Sequence, residues 1–500
     1  MTTTIGIDVG TFETKGVLVR DDGVVLARAQ RTHGIRQPLP GHVEHDPEAD
    51  WWADLCSIAN QLCADPGCDH LAGVAVSAIG PCVVATDANL NPLRPAILYG
   101  VDQRAARQID RLNDALGVGR VLARCGNSLT SQSAGPKIAW LHDEEPKVWS
   151  AARWFMTSQS WLVARLTGEV TMDHGTAGYF HPLYDLMARD WDISGCEEFV
   201  SLQQLPRLGW ATDIAGRVTG PASAETGIPA GVPVIIGTTD SPAEAVGAGV
   251  IDEGTMMLQY GSSGYFLRVG RKPQVVDELW AAPFCLPDTS VLAAGTSTLG
   301  TVTRWLCGVL GIKDDDDTAF GRLIELAQQS PPGAKGLLML PMLIGERTPF
   351  QDADARGVLV GLGLEHGMAD IVRATLEGIG HSMAEAIGTF ARHGVSIEKA
   401  VAVGGATKNP VIVAAVGAVT GLAQEVRLSG GACLGDAFLA ALGSGVVASP
   451  SVIHDWLPPA QTVDPPVERQ PYLRDHDDYL ATYEALKAIQ KRRGTGSLGA

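Results

Sequence analysis

The chain has 500 residues, 45% hydrophobic and 19% charged. That excludes a disordered or fibrous polypeptide and allows two to four domains of roughly 150 residues. Its 38 basic and 56 acidic residues give a formal net charge of −18, and an acidic surface repels phosphate backbones and anionic lipid, so neither nucleic acid nor membrane is an expected partner. A local cationic pocket for one nucleotide stays compatible with it. Nine cysteines without a CxxC pair suit a reducing compartment. The longest apolar run, Val411–Ala423, is broken by Gly417 and Gly421 and is too short to span a bilayer. No leader-like segment opens the chain, so a cytoplasmic location is expected.

In chain order, the opening predicts a β-meander: Thr4–Val9, a turn at Gly10–Glu13, Thr14–Arg20, a second turn at Asp21–Gly23, then Val24–Gln30. Asp46-Pro47 marks a helix start with a carboxylate cap and proline at the first position, and places Trp51, Trp52, Leu55 and Ile58 on an inner face. Leu71–Ile79 and Val83–Thr86 follow as strands, then a helix from about Asp102 to Leu116. This order implies a mixed sheet covered by helices. The second half starts similarly: Thr255–Tyr260, a turn at Gly261–Gly264, then Tyr265–Val269. Leu337–Leu343 and Ala400–Gly404 are further strands, and Ala369–Arg392 is a helix whose apolar stripe is packing. The expected organisation is a duplicated fold of two lobes, 1–250 and 251–465, with a break near Gly249–Gly254. A helical tail, 466–500, is expected to lose order after Arg492.

Four segments carry candidate chemistry. In Asp8-Val-Gly-Thr-Phe-Glu-Thr-Lys15, Gly10 lets backbone N–H groups approach an anion, Thr11 adds a hydroxyl, Lys15 reaches a terminal phosphate, and Asp8 suits Mg²⁺ through water. An ordinary polar hairpin has the same look. Tyr260-Gly-Ser-Ser-Gly264 repeats the device at the matching place in the second half, and two such turns could grip one polyphosphate. Val403-Gly-Gly-Ala-Thr-Lys-Asn-Pro410 runs from a strand through a glycine pair into a helix start that favours anions, with Asn409 near the nucleotide. A plain strand–loop–helix connection is the alternative.

The fourth segment, Gly237-Thr-Thr-Asp-Ser-Pro-Ala-Glu244, reads Ser241–Glu244 as a capping box with Pro242 at the first helical position. That frees Asp240, at a strand's carboxyl end, to accept a hydroxyl proton. The alternative makes Asp240 itself the cap. His42 and His45 lack a second ligand pair for zinc, and Asp314–Asp317 reads as a solvated turn or helix start rather than a cation site. The absence of GxSxG and GxxxxGK[ST] argues against a serine hydrolase and a P-loop kinase.

Taken in order, these segments resemble the FGGY family of carbohydrate kinases, most of all its xylulokinase branch. The resemblance runs through Ile7-Asp-Val-Gly-Thr11, Glu44-His-Asp-Pro-Glu-Ala-Asp-Trp51, Arg94-Pro-Ala-Ile-Leu-Tyr-Gly-Val-Asp-Gln-Arg104, Pro136-Lys-Ile-Ala-Trp-Leu141, Gly237-Thr-Thr-Asp240, Gly345-Glu-Arg-Thr-Pro349, Leu376-Glu-Gly378 and Val403-Gly-Gly-Ala406. It implies an α/β fold of two actin-like (ribonuclease-H-like) lobes, the duplicated ASKHA architecture, with ATP and sugar in the cleft between them. It further implies Asp240 as general base, Asp8 and Asp240 toward Mg²⁺, and Asp102 beside the sugar. Gly10, Thr11 and Lys15 match the first phosphate loop and Gly261, Ser262 and Ser263 the second; Gly300, Gly405, Ala406 and Asn409 match positions lining the nucleotide. The family also implies a homodimer.

One departure bears on substrate. Ile79 and Gly80 stand where xylulokinases carry a sugar-contacting Met-His pair, and losing an imidazole redirects substrate choice. The expected activity is therefore ATP-dependent phosphorylation of a small sugar, a ketose such as xylulose or ribulose, or a polyol. Two other classes stay open: an actin- or chaperone-like ATP-binding protein, and a non-catalytic sugar-binding relative.

Overall fold

The computed structural model describes residues 2–312, 317–427 and 430–494. The chain divides into two compact units, Met1–Glu253 with Val269–Leu292 and Ser429–Pro458, and Gly254–Arg268 with Ala293–Leu428 and Pro459–Ala500. The division is not the contiguous one expected from the sequence: a late segment returns to the first unit. The acidic run Asp314–Asp317 lies outside the residues whose side chains are described. The tail forms one helix, Gln470–Gly494, and residues 495–500 also lie outside the described part.

The first unit is built on strands β1 (Thr3–Val9), β2 (Glu13–Arg20), β3 (Val25–Thr32), β4 (Leu71–Ala78), β5 (Ile214–Arg217), β6 (Pro233–Ile235) and β7 (Thr238–Thr239). Their order is β5-β6-β4-β1-β2-β3, with β7 also paired to β4. The β1–β2–β3 meander is antiparallel, whereas β4 joins β1 in parallel. Both faces of β1 are covered, as a central strand requires. Ile5, Ile7 and Val9 are wholly buried in a core shared with Trp51, Leu55 and Ile58 and with Trp161 and Leu162. Each such side chain contributes about 1.5–3 kcal/mol.

The other face of β1, carrying Thr4, Gly6 and Asp8, meets the helix Gly431–Gly443. Thr4 Oγ1 donates to Ala437 O at 2.8 Å, and a Cβ on Gly6 would fall 2.0 Å from Cys433 O. On its other side this helix crosses Asp240–Gly247 so closely that a Cβ on Gly435 would lie 1.8 Å from Ala243 O. The sequence expectation missed this placement because the segment's partners are about 430 residues away.

In the second unit, β8 (Thr255–Tyr260) pairs antiparallel with β9 (Gly264–Gly270) and parallel with β10 (Lys399–Val403). The sheet continues through β11 (Gln424–Val426) to β12 (Gln461–Val463). A hairpin whose first strand then takes a parallel neighbour is the plan of β2-β1-β4 over again. The helices Met368–Arg392 and Pro410–Thr420 pack where Gly380 meets Ala415, whose Cβ would be 2.4 Å from a Cβ on the glycine.

Alanine in place of a mid-helix glycine ordinarily gains about 1 kcal/mol. At Gly435 the sign reverses, since the added methyl has nowhere to go. Gly435→Ala is expected to cost about 2–3 kcal/mol, read as a lower urea midpoint; an unchanged or higher midpoint would contradict this packing.

Candidate active site

The site in the first unit follows from strand register. Lys15, Asp8, Ser77 and Thr238 form one row across β2, β1, β4 and β7, because Asp8 pairs with Lys15 and Ser77, and Ser77 with Thr238. Asp240 comes directly after β7, at the carboxyl end of these parallel strands. Ser77 Oγ lies 3.0 Å from Asp8 Oδ1 and 2.6 Å from Asp436 Oδ2. Thr238 Oγ1 donates to buried Asp173 Oδ2 at 3.0 Å.

Asp8 and Asp240 are both half-buried rather than sealed. Burial, then the neighbouring Asp240 charge, pushes the Asp8 carboxyl up to about 7, against the Ser77 hydrogen bond and Lys15. Burial likewise pushes Asp240 up to about 6, against the hydrogen bonds from Ser241. Asp436 is raised well above the ordinary carboxylate range, by burial first and Asp8 second.

Ser241 is not the helix cap. The helix begins at Asp240, with Thr239 at the N-cap and no side-chain cap bond there. Asp240 Oδ1 accepts instead from Ser241 N–H at 2.8 Å and from its hydroxyl at 3.3 Å. The helix starts two residues earlier than the Ser-Pro pattern suggests, with Pro242 still inside its first turn, where proline is tolerated. Asp240 thus touches its own helix start and still keeps solvent contact.

The first hairpin turn is partnered internally. Gly10 N–H donates to Glu13 O at 2.9 Å, Thr11 Oγ1 lies 3.0 Å from the Tyr99 hydroxyl, and exposed Lys15 pairs with Glu13. A surface pair of this kind exchanges readily for another anion.

On the expected sugar side two residues depart from their expected places. Asp102 is wholly buried. It accepts from Val43 N–H at 2.6 Å and from the Arg104 guanidinium at 2.8–3.0 Å. Arg104 also pairs with Glu44 at 2.9 Å and lies over Trp140. The ion pair consumes the carboxylate, and the helix that was to start at Asp102 starts at Ala106. Ile79 is 2% exposed and belongs to the apolar core, so it does not face a substrate. A Cβ on Gly80 would lie 2.5 Å from Thr239 Cγ2, which leaves Gly80 as the residue of this pair beside the Asp240 segment.

In the second unit three glycine segments converge. Gly300 N–H donates to Gly261 O at 3.0 Å, and Leu299 and Thr301 N–H donate to Ser262 O. A Cβ on Gly300 would meet Gly261 O at 2.9 Å. Gly404, at φ 100°, brings its Cα so near β8 that a Cβ would be 2.5 Å from Tyr260 O. Ser262 and Gly405 are exposed, while Ser263 and Ala406 are half-buried. Asn409 is buried and caps the helix Pro410–Thr420, with Oδ1 accepting from Val411 N–H at 3.1 Å. Behind the turn, buried Glu346 accepts from Ser297 N–H at 2.6 Å and from Ser382 Oγ at 2.9 Å. The Gly345–Pro349 segment is therefore a brace for the 295–301 loop.

Sequence reasoning passed over Ser77, Asp173, Glu346 and Asp436. A signal for Asp436 was present: it is the only charged residue between Gly431 and Gly443. Among the described residues no group of three or more His, Cys, Asp and Glu is placed to hold a metal, and His45 is used as an acceptor for Trp51 Nε1 at 2.9 Å. No described helix is long and apolar enough to cross a membrane.

The sequence profile of the FGGY family of carbohydrate kinases matches with its N-terminal domain over residues 3–247 and its C-terminal domain over 256–444. The chain belongs to that family. It is 28% identical over 472 residues to the xylulose kinase of Escherichia coli (strain K12), covering 93% of this chain and 95% of that one. Identity to the gluconokinase of Bacillus subtilis (strain 168) is 26% over 387 residues, covering 75% and 74%. The crystal structure of xylulose kinase from Rhodospirillum rubrum matches with a TM-score of 0.91 at 27% identity, covering 98% of this chain and 100% of that one. The mixed sheets with flanking helices are thus the actin-like ASKHA architecture, and the chain is a xylulokinase-like carbohydrate kinase, transferring phosphate from ATP to a sugar.

The raised Asp8 value has a consequence for stability. A carboxyl that binds its proton more tightly folded than unfolded leaves the fold most stable below about pH 4 for this term and penalised above pH 7. Asp8→Asn is expected to be about 1–2 kcal/mol more stable than the parent at pH 8, with the gap closing toward pH 4. Urea titrations at the two pH values check it; a constant difference would show that Asp8 ionises normally.

Proposed function

We propose that the protein transfers the γ-phosphoryl group of ATP to a hydroxyl of a small ketose or polyol, with Asp240 as general base. The observation that carries this reading is the place of the Asp240 carboxylate, half-buried at the ends of parallel strands, where burial pushes it up to about 6. At neutral pH such a group is mostly ionised, yet more basic than a free aspartate, the compromise that suits a base. It would accept the sugar hydroxyl proton at a carboxylate oxygen as that hydroxyl attacks. The glycine turns at Gly261–Gly264, Gly300 and Gly404–Ala406 support nucleotide binding in the second unit by letting main chain approach main chain closely. Positioning and charge stabilisation supply most of the rate in phosphoryl transfer.

The donor chemistry around Asp8 fits Mg²⁺. Carboxylate oxygens are hard ligands, and the Asp240 charge raises the proton affinity of Asp8, as a like-charged neighbour does. The absence of a three-ligand cage among the described residues agrees with an ion held by one or two carboxylates, waters and substrate phosphates. Such an ion offsets charge on the transferring group. The residues for it are Asp8 and Asp240.

For the substrate, Thr239 Cγ2 occupies the space beside position 80. An imidazole there would have to displace it, so the sugar contact made by the Met-His pair in the resemblance is not rebuilt from this side. That supports a substrate other than D-xylulose among pentuloses, tetruloses, tetritols and pentitols.

ADP formation across that panel is expected to find at least one acceptor. With it, Asp240→Asn should lower kcat by about 10³-fold or more, the upper part of the range for a lost base together with its charge, while nucleotide affinity stays within threefold. Undiminished turnover would overturn the assignment. In the parent, kcat/KM should fall as pH drops through about 6, as the base takes up its proton; a flat profile down to pH 5 would exclude Asp240.

A further inference from the structure

His33, directly after β3, has an oxygen acceptor at each ring nitrogen. Its Nδ1 lies 2.9 Å from Asp54 Oδ2 and its Nε2 lies 3.0 Å from Gly10 O. Neither a carboxylate nor a carbonyl oxygen can donate, and a neutral imidazole has one N–H. A ring that serves both acceptors is therefore an imidazolium with two. Asp54 is the matching anion. It is buried in the first turn of the helix Ala53–Leu62, and it also accepts from Arg31 Nε at 2.8 Å and from the Thr14 hydroxyl at 3.1 Å. His45 stands edge-on to the ring at 5.1 Å. Burial first, and His33 second, push His45 down to about 4, and its Nδ1 accepts from Trp51 Nε1. The His33 side chain is 5% exposed, held on both edges.

His33 grips the first hairpin turn at two points. Its main-chain N–H donates to Phe12 O at 2.9 Å, and its ring donates to Gly10 O. Gly10 N–H closes the turn on Glu13 O. A planar trans peptide points its N–H opposite its C=O, so a ring that draws Gly10 O toward itself aims the Thr11 N–H away. Without that bond, glycine at position 10 would leave the peptide free to rotate.

We propose that His33, backed by Asp54, is a positioning residue that fixes the Gly10–Thr11 peptide so that the Thr11 N–H is presented to the terminal phosphate of ATP. This deepens the kinase reading and rests on the first hairpin turn being a phosphate loop; it makes no use of Asp240 or of the sugar.

Two substitutions separate the bond to Gly10 from the bond to Asp54. A glutamine amide reaches the place of the ring Nε2, and an asparagine amide the place of Nδ1. His33→Gln thus keeps a donor for Gly10 O and gives up the one for Asp54, and His33→Asn does the reverse. Calorimetry on the full chain with Mg²⁺ reads the affinity for AMP-PNP, which has a terminal phosphoryl group, and for ADP, which lacks it. His33→Asn should weaken AMP-PNP about tenfold or more with ADP held within about threefold, and His33→Gln should keep both within about threefold. A residue that only satisfies Asp54 or fills space would rank the variants the other way, or move both nucleotides alike; either result overturns the proposal. Histidine ¹⁵N spectra of the parent at pH 7 should show a ring with both nitrogens protonated that is lost in each His33 variant. A single ring proton on His33 would overturn it too. Should His33→Asn not fold, the ring protons, assigned with His33→Gln, decide alone. If Lys15→Met weakens AMP-PNP while His33→Asn does not, the phosphate loop stands and only the role of His33 falls; if neither does, both fall.

Discussion

The register between β1, β4 and β7 is the constraint on which the first unit's site depends. Side chains alternate along a strand, so sliding β4 by one residue would turn Ser77 away and put Val76 or Ala78 against Asp8. The register is held by the buried partners of the opposite face, where Ile5, Ile7 and Val9 stay in the core only if Asp8 points the other way. Apolar packing on one side of a strand thus aims the carboxylate on the other.

That aim has an energetic cost, which the helix Gly431–Gly443 makes larger. It brings Asp436 against Ser77 while removing water from the row, and like charge adds to burial: Asp240 raises the proton affinity of Asp8, and Asp8 that of Asp436. Cα-to-backbone approaches at Gly6 and Gly435 leave the helix no room to retreat. A kinase of this family has a use for such tension. On the reading proposed above, a carboxyl group whose pKa lies near the working pH takes and returns a proton with little driving force lost either way, and like-charged neighbours favour a bound cation.

Much of this was legible from residues alone. The meander at the start, the strand Thr255–Tyr260 and the long helix ending at Arg392 announce themselves through alternation or fourfold spacing. Asp8 and Asp240 are visible because each directly follows or closes an apolar strand next to glycine or threonine. What escaped was set by distant partners. Asp102 looks like an open acceptor until Arg104, two residues on, folds back over it. Ile79 reads as a replacement for a ligand contact, yet the core claims it. Asn409 stood out for its place in the strand–loop–helix segment, and its use as the cap of the helix Pro410–Thr420 was not foreseen. Asp436 could not be linked to Ser77 by any local pattern.

The return of Ser429–Pro458 to the first unit also governs how the chain is made. A ribosome releases β1 more than four hundred residues before it supplies the covering helix. Until then Gly6 and its neighbours present a bare strand face, the kind of surface that recruits wrong partners. Synthesis halted anywhere before Gly431 leaves a half-dressed sheet, so quality control on the nascent polypeptide has a long interval in which to act.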